Sequence, residues 1–362
     1  MKLAQLADGL FDCAGFEQIV ITGMTKDSRS LNTGDAFIAV PGLTAHGLNY
    51  LNAEQAMKAA VTLYEQPVPT DAIIPANALA VEGLSNKQAK IANRFYGTPS
   101  EAMTMIGVTG TNGKTSIVQL IAQAMKKLGK TAGTIGTLGT GIYGQLLAGE
   151  RTTPDVIAVH KALAEMRDAG AELVAMEVSS HALEQGRVEE VAYVTAVFSN
   201  LTLDHLDYHG DMQNYFDAKA KLFAWPTLRH AVINVDDNYG AQLIERLPAG
   251  LRLIATSSRH HASAELRAEN IQLSLAGLNF DMSYEEQTAQ VKSALLGRFN
   301  VDNLLAVAGV LLAQGMVLND VAEIISQLSP VDGRMNRFGG ELGKPLVVVD
   351  YAHTPDALEQ VL

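Results

Sequence analysis

The segment Gly110-Thr111-Asn112-Gly113-Lys114-Thr115 stands between an apolar run, Met103 to Val108, and an amphipathic helix pattern. Few arrangements constrain a fold as much. A short strand must end, the backbone must turn sharply, and a helix must begin, with backbone N–H groups facing inward. Glycines permit that approach, the helix N-terminus adds a positive dipole end, and Lys114 adds a point charge. Thr115 offers a hydroxyl to Mg²⁺. The strict phosphate-loop pattern would carry glycine at position 108, where this chain has Val108. The loop therefore reads as a variant. Gly110 and Gly113 do not complete the dinucleotide pattern G-x-G-x-x-G.

Around this segment, short apolar runs alternate with helical patterns, the signature of α/β layering. Up to about Tyr96 the strand-like runs are Ile19-Val20-Ile21, Phe37 to Val40 and Val61 to Tyr64. A helix from about Ser85 ends at Gly97. Gly97-Thr98-Pro99-Ser100 has linker chemistry. Beyond the loop, Ile117, Leu120, Ile121, Ala124 and Leu128 share a helix face that Gly129 stops. Further strands are expected at 173–176, 193–198, 231–235 and 251–255. Thr153 reads as the N-cap of a helix with Pro154 at its first position. The whole reads as a doubly wound, mostly parallel sheet. Ile271 to Leu275 and Leu278 to Met282 alternate with period two and predict an appended antiparallel hairpin. After Pro330 a new unit starts. Leu346 to Val349 reads as a buried-type strand, and Thr354-Pro355-Asp356 caps a helix. This stretch is shorter than the ~40 residues that fold unaided, so it reads as the first βα unit of an incomplete third α/β domain. The expected domains are thus 1–97, 98–330 and 331–362.

Composition narrows the function. Among 362 residues, 48% are hydrophobic and 18% charged, which supports packed cores. The net charge of −12 disfavours nucleic-acid binding by bulk charge, so a phosphate site must rely on local geometry. The single cysteine, Cys13, excludes an internal disulfide and Cys-rich zinc folds. The N-terminus lacks an apolar core of signal-peptide length, and no apolar stretch is long enough to span a bilayer. A cytoplasmic protein that binds neither nucleic acid nor membrane is expected.

Three further clusters carry chemistry. Glu177, in Met176-Glu177-Val178-Ser179-Ser180-His181, closes an apolar strand, where a carboxylate beside a phosphate loop is placed to hold Mg²⁺. Its bland alternative is a surface carboxylate. Asp204-His205-Leu206-Asp207-Tyr208-His209-Gly210 follows another strand. Its histidines, four apart, would suit zinc on a helix, whereas Gly210 suggests a loop or short turn. Asp27-Ser28-Arg29 and Gly42-Leu43-Thr44-Ala45 lie in turns that either contact a ligand or are only turns. Lys219 sits on a helix starting near Asp211, and nothing in its spacing distinguishes it from a solvated lysine.

Taken together, Thr109 to Thr115, Glu177 to Leu183 and Asp204 to His209 resemble the Mur ligases. Within that family the last two segments resemble the subgroup adding the third peptide residue, the UDP-N-acetylmuramoyl-tripeptide synthetases (MurE type). Leu296 to Asn303, Asp332-Gly333-Arg334 and Asp350 to Pro355 follow in matching order. The resemblance implies three domains and a cytoplasmic step of peptidoglycan precursor synthesis. ATP phosphorylates the terminal carboxylate of UDP-N-acetylmuramoyl-L-alanyl-D-glutamate. The amine of a diamino acid, meso-diaminopimelate or L-lysine, then displaces phosphate. It further implies that Gly110, Thr111, Asn112, Gly113 and Lys114 hold the phosphates, with Asn112 also near the substrate. Thr115 and Glu177 would ligate one Mg²⁺, and His205 and a carbamylated Lys219 a second. Lys114, Glu177, His205 and Lys219 would thus form the catalytic set. Asn300 and Asn303 would lie on the adenine side, Asp350 at the ribose, and Arg334 at the phosphates. Ser28, Leu43, Thr44 and Ala45 would contact uridine. Thr152, Thr153, Ser179, Gln185 and Arg187 would contact the muramyl-peptide arm. The resemblance is to a C-terminally truncated, monomeric ligase with impaired turnover. Competing readings are a folylpolyglutamate-synthetase-like ligase, a non-catalytic nucleotide-binding protein, and a zinc hydrolase built on His181, His205 and His209.

Overall fold

The computed structural model describes residues 1–42, 44–339 and 345–361, the Asp356 side chain apart. One compact unit comprises Met1–Glu101 with Pro154–Glu165 and Gly186–Val191. Its elements up to residue 101 are α1 (Leu3–Ala7), β1 (Gly23–Thr25), β2 (Asp35–Ala39), α2 (Ala53–Lys58), β3 (Val61–Tyr64), β4 (Ala78–Ala80) and α3 (Leu84–Phe95). The four strands form a parallel sheet in sequence order. Every residue of β2 and β3 is buried, which explains their mostly apolar character, Asp35 and Thr62 apart. The expected strand at Ile19-Val20-Ile21 does not form. Val20 is 56% exposed and makes only an isolated bridge to Lys2. The backbone N–H of Ile21 is instead taken by Met1 O at 2.8 Å, and the sheet edge is filled by β1.

The second unit comprises Ala102–Thr153, Met166–Gln185 and Ala192–Leu362. It opens with β5 (Thr104–Thr109), α4 (Lys114–Lys127), β6 (Ala132–Gly136) and β7 (Gly139–Ile142). The chain then enters α5 (Val156–Asp168), which begins in the first unit. Next come β8 (Leu173–Glu177), α6 (Ser180–Glu184), β9 (Tyr193–Phe198), α7 (Leu206–His209), α8 (Met212–Ala220), β10 (His230–Asn234), α9 (Asn238–Ile244) and β11 (Arg252–Ser257). The remainder is β12 (Leu266–Ser274), β13 (Gly277–Tyr284), β14 (Gln287–Ser293), α10 (Phe299–Ala313), α11 (Leu318–Ser326), β15 (Asn336–Gly339), β16 (Leu346–Val349) and α12 (Pro355–Val361).

Strands β5 to β14 make one sheet ordered β14-β13-β12-β11-β10-β9-β5-β8-β6-β7. The run from β12 to β6 is parallel; β7 and the β13–β14 pair are antiparallel edges. The expected hairpin is present, and β14 extends it to a meander that continues the main sheet. That strand, Gln-Thr-Ala-Gln-Val-Lys-Ser, buries only Ala289, Val291 and Ser293, too weak an alternation to read in advance. Helices α4, α10 and α11 supply the main core with Ile117, Ile121, Leu304, Leu311 and Val321. Gly129, at φ +73°, stops α4, with Lys130 N donating to Met125 O at 3.0 Å.

Two further expectations need correction. Thr153 does not cap α5. Asp155 does so, accepting from Ile157 N at 3.0 Å and Ala158 N at 3.2 Å. The Thr153 hydroxyl instead donates to Glu177 O at 2.8 Å. Strand β16 is exposed rather than buried, at 39–51% along its length. It pairs only with β15. Thr354 does cap α12, its Oγ1 accepting from Ala357 N at 3.2 Å.

Candidate functional site

The carboxyl ends of β5, β8, β9 and β10 lie side by side, where ligands bind in open α/β sheets. In the second unit they floor a cleft of about 520 Å³. Thr111 to Ser116 line it, with Glu177, Asp204, His205, Asn303, Arg334 and Asp350 among the other walls.

The loop after β5 has the geometry its glycines predict. Gly110 has φ +146°, and a Cβ there would sit 2.0 Å from Ser199 Oγ. Gly113 has φ +89°, and its Cβ would meet Asn303 Oδ1 at 2.6 Å. The loop is held from β9's end: Asn112 N donates to Asn200 Oδ1 at 2.9 Å, and Ser199 Oγ donates to Asn112 O at 2.6 Å. Lys114 folds back, donating from Nζ to Gly110 O at 2.8 Å and Thr111 O at 2.9 Å. Burial pulls its pKa below the usual lysine value, and the carboxylates of Glu177 and Asp204 partly offset this.

Glu177 ends β8 and is 1% exposed. Its Oε2 accepts from Thr115 Oγ1 at 3.0 Å, and its Oε1 from Thr137 N at 2.7 Å. Burial raises its pKa; the Lys114 ammonium pulls in the other direction. Two hard oxygens, Glu177 Oε2 and Thr115 Oγ1, adjoin at the start of α4, a donor set that fits Mg²⁺. Arg334 donates from Nη2 to Thr115 Oγ1 at 3.1 Å.

On the other side of the loop, α8 carries Lys219, 1% exposed, whose Nζ donates to Gly110 O at 2.8 Å. Its pKa is driven well below the lysine value, first by burial and then by Lys114. The expected turn after β9 is the single-turn helix α7. His205 precedes it at φ +54°, an uncommon conformation for a residue with a side chain. Its N–H donates to Asp204 Oδ1 at 2.8 Å, and its Nε2 lies 3.4 Å from Asp204 Oδ2. His181 and His205 meet edge to face at 4.9 Å. Among the described residues no three His, Cys, Asp or Glu side chains are grouped to hold one metal ion, so the zinc reading gains no support. Magnesium, which keeps several waters, needs no such cage.

The remaining expected residues divide by unit. Thr152 lies 3.1 Å from Thr137, hydroxyl to hydroxyl. Thr153 Oγ1 accepts from Ser179 N at 3.2 Å, and Gln185 Nε2 donates to the Tyr208 hydroxyl at 3.2 Å. Asn303 Nδ2 donates to Asn300 Oδ1 at 2.8 Å, and Asp350 Oδ2 accepts from Met335 N at 2.9 Å. Ser28, Thr44, Ala45 and Arg187 belong to the first unit. Leu43 lies outside the described residues.

Sequence reading missed two participants. Thr137, just past β6, also donates its hydroxyl to Glu177 Oε2 at 3.3 Å. Its place at a parallel strand's carboxyl end was the available signal. Tyr215 contacts both the loop and Lys219; its i, i+4 spacing from Lys219 was the clue.

Residues 108–311 match the family described as the Mur ligase middle domain. A protein of Xylella fastidiosa named UDP-N-acetylmuramoyl-L-alanyl-D-glutamate–2,6-diaminopimelate ligase is 52% identical over all of this chain and 72% of its own length. Its namesake from Pseudomonas aeruginosa is 48% identical over 95% of this chain and 70% of its own. A solved structure carrying the same ligase name superposes with a TM-score of 0.83 at 32% identity, covering all of this chain and 73% of that one. The loop variant, the buried strand-end carboxylate and the paired lysines therefore sit in a chain that belongs to the Mur ligase family.

Proposed function

We propose that this chain couples ATP cleavage to amide formation between UDP-N-acetylmuramoyl-L-alanyl-D-glutamate and 2,6-diaminopimelate. The relatives' names favour diaminopimelate over lysine. The observation that carries the reading is the convergence of Lys114, Thr115, Glu177 and Lys219 on one phosphate loop.

The chemistry requires two anions to meet. A carboxylate oxygen attacks the γ-phosphorus of ATP, the bond to ADP breaks, and an acyl phosphate forms. The amine then adds to the acyl carbon, loses a proton, and phosphate leaves. Asn112, Gly113 and Lys114 would bind the phosphates, together with the Gly110 and Thr111 backbone. Lys114 now bonds loop carbonyls; an arriving phosphate competes for its ammonium and favours the charged form. Thr115 and Glu177 would hold one Mg²⁺, His205 and Lys219 a second. Magnesium, when bound, neutralises phosphoryl oxygens and polarises the phosphorus.

Lys219 can serve only as a carbamate, which turns a cation into an anionic oxygen ligand. Its burial beside Lys114 supports this, because a neutral amine is the form that adds CO₂. Asn300 and Asn303 would face adenine, Asp350 the ribose, and Arg334 the phosphates. Ser28, Leu43, Thr44 and Ala45 would take uridine. Thr152, Thr153, Ser179, Gln185 and Arg187 would take the muramyl-peptide arm, where a guanidinium suits carboxylates. We assign domains 1–97, 98–330 and 331–362 to uridine binding, ATP binding and the start of the ligase domain. A cytoplasmic monomer suits this role, and no helix among the described residues is long and apolar enough to cross a membrane.

Calorimetric titration tests the assignment. The chain should bind UDP-N-acetylmuramoyl-L-alanyl-D-glutamate saturably, and Arg187→Ala should weaken that binding. Equal binding of UDP-N-acetylglucosamine, or none of either by folded protein, would overturn it.

A further inference from the structure

We infer that Tyr215 is a positioning residue that fixes the Lys219 side chain against the nucleotide loop. The inference deepens the function proposed above, and one half of it rests on the carbamate assigned to Lys219.

Helix α8 places Tyr215 and Lys219 one turn apart, so the ring and the lysine stem share a face. The ring is 1% exposed, and Lys219 Nζ lies 4.5 Å from its centroid. That nitrogen donates to Gly110 O at 2.8 Å. The lysine stem has four rotatable carbons and no rigidity of its own. A flat wall along it confines the nitrogen to one place.

The wall is itself anchored. The Tyr215 hydroxyl lies 3.2 Å from Thr111 Oγ1, inside the phosphate loop. Thr111 Oγ1 donates to Thr202 O at 3.3 Å and accepts from Thr202 N at 3.0 Å. Its one proton is thereby used, which leaves Tyr215 as the donor between them. The ring also stacks on His209 at 5.0 Å and 30°, and His209 Nε2 lies 2.9 Å from Ser180 Oγ. Tyr215 is thus tied to the loop through its hydroxyl and to Lys219 through its ring. A tyrosine that only filled the core would need a partner for its hydroxyl. It would not need that partner to lie in the phosphate loop.

The two ties can be cut separately. Tyr215→Phe removes the hydroxyl and keeps the wall; Tyr215→Leu removes both. Each variant is compared with the unaltered chain by thermal melting, by titration with ADP and Mg²⁺, and by ¹³C NMR in ¹³C-bicarbonate. The carbamate carbon is identified as the resonance absent from Lys219→Arg. Tyr215→Phe should raise the Kd for ADP about threefold to tenfold, the factor one neutral hydrogen bond carries. Its carbamate signal should stay unchanged. Tyr215→Leu should raise the Kd similarly and lose more than half of the carbamate signal at the same bicarbonate concentration. A folded Tyr215→Leu with an unaltered Kd and signal, changed only in melting temperature, would overturn the inference. If Tyr215→Leu does not fold, Tyr215→Phe decides: an unchanged Kd for ADP overturns it. If the unaltered chain shows no Lys219-dependent signal, the carbamate assignment fails. The ADP titration of Tyr215→Phe then supports or overturns the anchoring by itself.

Discussion

Lys114 and Lys219 donate to the same atom: Gly110 O accepts both Nζ groups, each at 2.8 Å. A carbonyl has two lone pairs and can satisfy both. Two ammonium groups on one oxygen repel, however, and both are buried. Burial depresses both amines, and Lys114 depresses Lys219 further. Lys114 keeps more of its charge because Glu177 lies on its side of the loop. The pair is therefore asymmetric, with one lysine for phosphate and one for the neutral-amine chemistry assigned to Lys219.

That asymmetry predicts different losses of nucleotide. Lys114→Ala removes a charged donor to phosphate and should raise the Kd for ADP about tenfold or more, as charge-assisted hydrogen bonds imply. Lys219→Met should change it less than about threefold when Mg²⁺ is absent, since Lys114 retains its place on the loop. Titration calorimetry in EDTA separates the two. Equal losses would show that the lysines act as one unit.

Glu177 gives a prediction about stability. Its folded pKa is raised by burial, so the folded state holds a proton more tightly than the unfolded state does. Stability then falls as pH rises from the unfolded carboxyl value through the folded one. Above that range the buried carboxylate destabilises the chain, while Glu177→Gln keeps the shape without the charge. The variant should melt higher than the unaltered chain at pH 7 in EDTA. Millimolar Mg²⁺ should raise only the unaltered chain. A lower melting point for Glu177→Gln in EDTA would contradict this.

The sequence displayed the loop, most of the sheet and the strand-end carboxylate because each has a short-range signature. Glycines mark the turn at 110–113, and apolar runs mark β5, β8 and β9. Lys219 was different: its function depends on what packs around α8, and no local pattern records that Gly110 O lies beside it. Family resemblance alone singled it out. Thr137 and Tyr215 left only weak local marks, a strand end and an i, i+4 spacing, because their contacts too are set by packing. Strand β14 escaped because its polar, small residues bury only every second side chain. The error at Thr153 was instructive, since a good N-cap residue was claimed by the Glu177 carbonyl while Asp155 took the helix.

His160 predicts acid sensitivity in the first unit. It is fully buried, Nε2 lies 3.0 Å from Glu189 O, and Nδ1 has no partner. Burial lowers its pKa to about 4. The unfolded chain therefore takes up this proton first as pH falls below about 6.5. Stability held above that value should decline toward pH 4, by about 3 kcal/mol if nothing relaxes. Denaturant unfolding of the unaltered chain and of His160→Phe, followed from pH 7.5 to 4.5, measures the difference. The variant should start less stable, having lost the Glu189 contact, and show a shallower decline.

Gly110 tests whether the loop's shape or its donors matter more. Alanine at this position meets three penalties. Its φ of +146° is one that side chains rarely adopt, its Cβ would fall 2.0 Å from Ser199 Oγ, and the Asn200 backbone O and N lie only 3.0 and 3.1 Å from that Cβ. The backbone strain costs about 1–3 kcal/mol. The collision with Ser199 can be relieved, because Ser199 Oγ is the end of a side chain. Ser199→Gly in the same chain would remove it. The double variant Gly110→Ala/Ser199→Gly should recover part of the melting temperature lost in Gly110→Ala. It should not recover ADP binding, because Ser199 Oγ also donates to Asn112 O and ties the loop to the end of β9. Recovery of both would mean that Ser199 only fills space. Recovery of neither would mean that the φ of Gly110 and the close Asn200 backbone set the loop.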